Sequence, residues 1–123
     1  QWRPNIHVED VAKAIIKTIE APLNKVENQI FNLCNNSQNF TINELAKKTK
    51  SVFSNCKIMK VNSNFDKRNY KVSSNKIKEV INFESTKTVE DVLIEFKKIF
   101  EEKKILEAYQ KKFSNFETLI NEN

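Results

Sequence analysis

The chain has 123 residues, 39% of them hydrophobic and 30% charged, which is enough for one domain but not two and too apolar for a disordered tract. Its net charge of +5 rests on lysines interleaved with glutamates, as in EFKKIFEEKKILE, the pattern of a solvated helix face, and this argues against nucleic acid as a partner. Glycine is absent, which excludes a phosphate loop or a dinucleotide-binding turn within this sequence, and no apolar run approaches the roughly 18–20 residues of a membrane span.

Along the chain, Val11, Ala12, Ile15, Ile16 and Ile19 recur at helical spacing and predict a helix from about Val8 to Ala21, closed by Pro22. NQIFNLC, Asn28 to Cys34, reads as a short strand with Phe31 and Leu33 on one face and Ile30 on the other. NNSQNF follows as a loop whose asparagines can take left-handed conformations in place of glycine. TINE is a capping box, Thr41 with Glu44, that starts a second helix with Ile42, Leu45, Ala46, Val52 and Phe53 as its buried stripe.

KIMKV, Lys57 to Val61, is the second expected strand, and a loop from Asn62 to Asn69 leads into Tyr70, Lys71 and Val72 in extended form. Ser73 or Ser74 caps a helix through about Ile81. Thr88 caps another, with acidic residues in its first turn and Val89, Val92, Leu93, Phe96, Ile99 and Phe100 on its apolar face. Past Glu101 the pattern weakens toward a helical extension or tail over residues 101–123. The expected fold is thus a small α/β unit, α+β-like, with several helices and two or three short strands. So meagre a sheet leans on a larger partner, and a chain opening on Gln1 rather than methionine is expected to be part of a longer protein.

The titratable residues offer little catalysis. His7, the one histidine, stands near Asp10; the pair could form a general base, but no nucleophile motif accompanies it. The simpler reading makes His7 a structural residue at a helix start and Asp10 a carboxylate favoured by the helix dipole. Tyr70 and Lys71 are adjacent and cannot form a Tyr-x-x-x-Lys pair. Cys34 and Cys56 lack metal-site spacing and read as reduced, half-buried thiols of a cytoplasmic protein, and no other cluster has metal-ligand spacing. Arg3 and Arg68 are the only arginines among 21 basic residues. A guanidinium fork grips phosphate in two places where an ammonium cannot, so two arginines kept against so much lysine suit one diphosphate; ordinary ion pairing with Asp66 or Glu9 is the alternative.

RPNIHVEDVAKAI, NQIFNLCNNSQNFTINELAK, DKRNYKVSSNKI and TVEDVLIEFKKIF together resemble, in order and spacing, the C-terminal part of the extended short-chain dehydrogenase/reductases, the NAD-dependent epimerases and dehydratases of nucleotide sugars. The resemblance covers about residues 1–100. It implies a nucleotide-sugar substrate whose diphosphate meets Arg3, from the R-P-x-x-H-V-x-D motif, and Arg68, from R-x-Y. Tyr70 would line the nucleotide or support Arg68, a core role being the alternative, while His7 and Asp10 would position the arginine-bearing loop. NAD or NADP and the Tyr-x-x-x-Lys pair would belong to an N-terminal Rossmann domain, the chain's expected partner, whose motifs this sequence lacks. One departure is that Cys34 or Asn35 stands where the family's strand usually ends in glycine. The other reading is a stand-alone basic helical module for an acidic partner such as nucleic acid.

Overall fold

His7 ends an extended stretch and its ring Nδ1 accepts the Glu9 N–H at 3.1 Å, so α1 (Val8–Glu20) begins there with a histidine as its cap. In the computed structural model, which describes residues 1–60 and 68–102, Ala21 turns the chain out of α1 ahead of Pro22, and a single helical turn, α2 (Leu23–Val26), follows. Asn36–Gln38 form one 3₁₀ turn before α3 (Ile42–Val52). Further on come α4 (Asn75–Ile81) and α5 (Val89–Glu101). Both expected capping boxes form, Thr41 with Glu44 and Thr88 with Asp91, each satisfying two end groups that the helix cannot pair internally.

The sheet lies elsewhere than the sequence suggests. β1 (Trp2–Pro4) pairs antiparallel with β2 (Asn39–Thr41), Trp2 opposite Thr41 and Pro4 opposite Asn39. Among the described residues neither Asn28–Cys34 nor Lys57–Lys60 is a strand, and Val61 lies outside them. The alternation in the first of these stretches is real: Phe31 and Leu33 pack on the core while Ile30 is exposed. What it lacks is a neighbouring strand, so its backbone bonds go to single groups instead, Cys34 N–H to Ser74 Oγ at 2.6 Å and Asn35 N–H to the Asn5 carbonyl at 3.1 Å. The left-handed positions also differ from expectation. They fall at Asn28 (φ 56°) and at Asn82 (φ 55°), which caps α4, rather than in NNSQNF. The result is a small mixed α/β unit.

Ala14, Ile77, Ile81 and Phe83 form the main core, flanked by Ala21, Val26, Phe31, Leu33 and Val80. α3 packs on α5, with Phe53 and Phe100 edge to face at 6.4 Å between ring centres, but its stripe is only half-buried and Ile42 is exposed. α1 presents its polar side inward. Asp10 and Ala14 are its buried residues, whereas Val8, Ile15, Ile16 and Ile19 stand outside, Val8 and Ile19 at 75% and 78% exposure. An amphipathic helix ordinarily turns its apolar stripe to the core. Here the core is built on the opposite face. No described helix is long and apolar enough to cross a membrane.

The caps and ion pairs tie stability to pH. Hydrogen bonds from the Thr41 N–H and hydroxyl hold Glu44 below its ordinary 4.5, and those from the Thr88 hydroxyl and N–H hold Asp91 below 3.8. Lys48 lowers Glu90, and Lys87, with His7 second, lowers Glu95. A carboxyl depressed in the folded state stabilises fully above its unfolded value and loses that contribution as pH falls through the folded one. Urea unfolding midpoints are therefore expected to hold down to about pH 5 and to fall progressively below about pH 4.5. A Thr41→Ala/Thr88→Ala variant should be less stable at neutral pH and lose less on acidification. Acid limbs of equal depth in the two proteins would contradict this account.

Candidate functional site

β1 offers one edge to β2, and residues 68–71 lie along its other side. The Trp2 N–H donates to Asn69 Oδ1 at 2.8 Å, and Arg3 Nη1 donates to the Arg68 carbonyl at 2.7 Å and to the Trp2 carbonyl at 2.8 Å. Arg3 also stands over the Tyr70 ring, 5.9 Å from its centre, while Lys71 Nζ lies 3.6 Å from the centre of the Trp2 ring. Two neighbours on β1, one aromatic and one cationic, thus cross-pair with two neighbours on the other segment. The Arg3 guanidinium thus meets the backbone of Arg68, 65 residues away in sequence.

Asparagine side chains hold the second segment in position. Asn39 donates to the Val72 carbonyl and accepts the Val72 N–H, both at 3.0 Å, acting as a one-residue stand-in for a strand partner. Asn36 Oδ1 accepts the Ser74 N–H at 2.8 Å, and Ser74 Oγ donates to the Cys34 carbonyl at 2.9 Å, so Ser74 leads α4 without capping it by its side chain. The asparagines of NNSQNF therefore act through their amides rather than through left-handed backbone. With no glycine in the chain, close approach is replaced by side-chain bonding.

Arg68, Asn69, Tyr70 and Lys71 are exposed, and Trp2 and Arg3 half-buried. Tyr70, at 45%, is not a core residue. The patch gathers the cations of Arg3 and Lys71 and the rings of Trp2 and Tyr70, with the Arg68 backbone beside them; Glu44, held low by Thr41 first and more weakly by Lys47 and Lys71, is an acid that feels the field of Lys71. Such a surface can hold an anion and stack a planar ring, but it contains no nucleophile–base pair. The sequence singled out Arg3, Arg68 and Tyr70; the structure sets Trp2, Asn69 and Lys71 beside them, each adjoining an arginine or the tyrosine in sequence. Asp66 lies outside the described residues.

His7 and Asp10 belong to a different cluster. They do not pair with each other. His7 Nε2 faces Glu95 Oε2 at 3.3 Å, and Lys87, raised above its ordinary value chiefly by Glu95, reaches the same carboxylate at 2.7 Å. Asp10 is fully buried, and its Oδ2 accepts the N–H groups of Thr86 and Lys87 at 3.0 and 2.9 Å while Thr86 Oγ1 lies 3.2 Å from Oδ1. Beyond the dipole role expected of it, Asp10 ties the turn before α5 to α1. A recess of about 180 Å³, lined by Asn5, His7, Gln38, Lys87 and Val92 among others, opens beside His7 and includes neither arginine.

Cys34 is buried, its thiol 3.0 Å from the Val72 carbonyl; Cys56 is exposed just past α3 rather than half-buried, and both are free thiols. Among the described residues no His, Cys, Asp and Glu side chains converge as a metal site. No family model, curated protein or solved structure matches this chain.

Proposed function

We propose that this chain is the substrate-binding part of an NAD(P)-dependent nucleotide-sugar epimerase, dehydratase or reductase, with Arg3 and Arg68 gripping the diphosphate. The observation that supports the reading is the contact of the Arg3 guanidinium with both the Arg68 carbonyl and the Tyr70 ring. Of the residues that the family motifs single out, Arg3, Arg68 and Tyr70 adjoin one another, while His7 and Asp10 lie in a separate cluster. NAD or NADP and the catalytic tyrosine would sit on a Rossmann domain that this sequence does not contain, so the chain alone would bind and not catalyse. Binding energy collected at the diphosphate would orient the sugar toward the nicotinamide. The outward apolar face of α1 supports this arrangement, since a Rossmann domain packed there would remove Val8, Ile15 and Ile19 from water. A cytoplasmic location accords with two unpaired cysteines.

Isothermal titration calorimetry with UDP, and with ADP, dTDP and GDP to cover the other bases, tests the reading directly. Saturable binding to one of them is expected. Arg68→Lys keeps the charge and removes the fork, and should weaken that binding by about tenfold. If single-stranded oligonucleotides bind instead, with an affinity that falls steeply with salt over many phosphates, the reading fails and the basic-module alternative takes its place.

A further inference from the structure

Arg3 cannot give its whole fork to a ligand. Its Nη1 already serves the Trp2 and Arg68 carbonyls and its Nη2 donates to Gln1 Oε1 at 3.4 Å, so both ends of the fork have partners in the chain and Nη1 holds β1 against residues 68–71. A diphosphate bridge carries two negative charges, and the cation placed to share them is Lys71. It sits on the same segment as Arg68 and beside Tyr70, whose ring lies under Arg3. The Lys71 ammonium is held by the face of Trp2, and among the described residues no oxygen is within hydrogen-bond or ion-pair distance of it.

A ring face satisfies an exposed ammonium only weakly, and a phosphate oxygen is the stronger partner. We infer that Lys71 is the third cation of the diphosphate site, parked on Trp2 until an anion draws it off. This rests on the reading of Arg3 and Arg68 as the diphosphate clamp. It adds that the clamp is completed by transfer of one ammonium from an indole to phosphate, and that Trp2 reports the transfer. No bond is made or broken in the step; the ammonium exchanges one non-covalent partner for another.

Trp2 is the only tryptophan in the chain, so its emission can be read without interference while inorganic pyrophosphate is titrated in. Pyrophosphate is expected to change the emission saturably. Lys71→Gln should bind it about tenfold more weakly, with no change in emission, and Lys71→Arg should bind within about threefold of the unaltered chain. Lys71 is exposed, and unchanged far-UV circular dichroism would establish that the variants fold. Equal binding of pyrophosphate and UDP by Lys71→Gln and the unaltered chain overturns the role of Lys71 and leaves the arginine clamp standing. Failure of the unaltered chain to bind either compound sinks both.

Discussion

Replacing Asp10 by alanine is expected to lower stability by about 3 kcal/mol, a large part of the roughly 5–15 kcal/mol that a domain of this size commands. The carboxylate has no exposure to water, and its oxygens take three hydrogen bonds from a turn 76 and 77 residues away. Alanine would strand the N–H groups of Thr86 and Lys87 beside an apolar methyl and open space under α1. Asp10→Asn separates hydrogen bonding from charge. Its carbonyl oxygen can still receive both N–H groups while its amide faces Thr86 Oγ1, so a loss of about 1 kcal/mol is expected. Urea melts of the two variants decide the matter. If alanine and asparagine cost the same, the hydrogen bonds are not what Asp10 contributes.

Arg3→Ala is expected to weaken nucleoside diphosphate binding by about 30- to 100-fold, corresponding to roughly 2–3 kcal/mol. The effect should exceed that of Arg68→Lys because Arg3 does two things: it offers a cation and holds residues 68–71 against β1. Arg3→Lys would keep the cation, but one ammonium cannot span both carbonyls and still reach a ligand, so it should recover only part of the loss. Since Arg3 holds the Arg68 backbone and so sets where the residue-68 side chain can reach, losses in an Arg3→Ala/Arg68→Lys double variant should fall short of the sum. Calorimetry on the three variants measures this coupling. Strict additivity would show that the arginines act at separate places.

What the sequence disclosed was local. Pro22 after α1, the capping boxes at Thr41 and Thr88, and the apolar spacing in α5 each lie within one or two turns of the element they define. The strands escaped notice because three residues carry no period, while NQIFNLC has a strand's alternation and no neighbour to pair with. The orientation of α1 was hidden for another reason. Its hydrophobic pattern marks the side that can be covered, whereas the side covered within these residues is chosen by Asp10 and Ala14 through partners far along the chain. Rarity and motif singled out the arginines and suggested a shared ligand; the contacts that bring residues 68–71 to β1 were not legible, because they depend on Asn39 and Asn69 bonding across 33 and 67 residues.

The clasp of β1 between β2 and residues 68–71 bears on the order in which the molecule forms. Helices α1, α3 and α5 are closed by bonds between residues a few positions apart and need no long loop to be gathered first. Trp2, Arg3, Tyr70 and Lys71 can come together only after a loop of more than sixty residues has closed, with three-residue strands and a few side-chain bonds as the return. The surface proposed to meet the ligand is therefore expected to be the last part of this chain to assemble and the first to open. A bound anion would act on it as a rivet, joining the beginning of the chain to its middle.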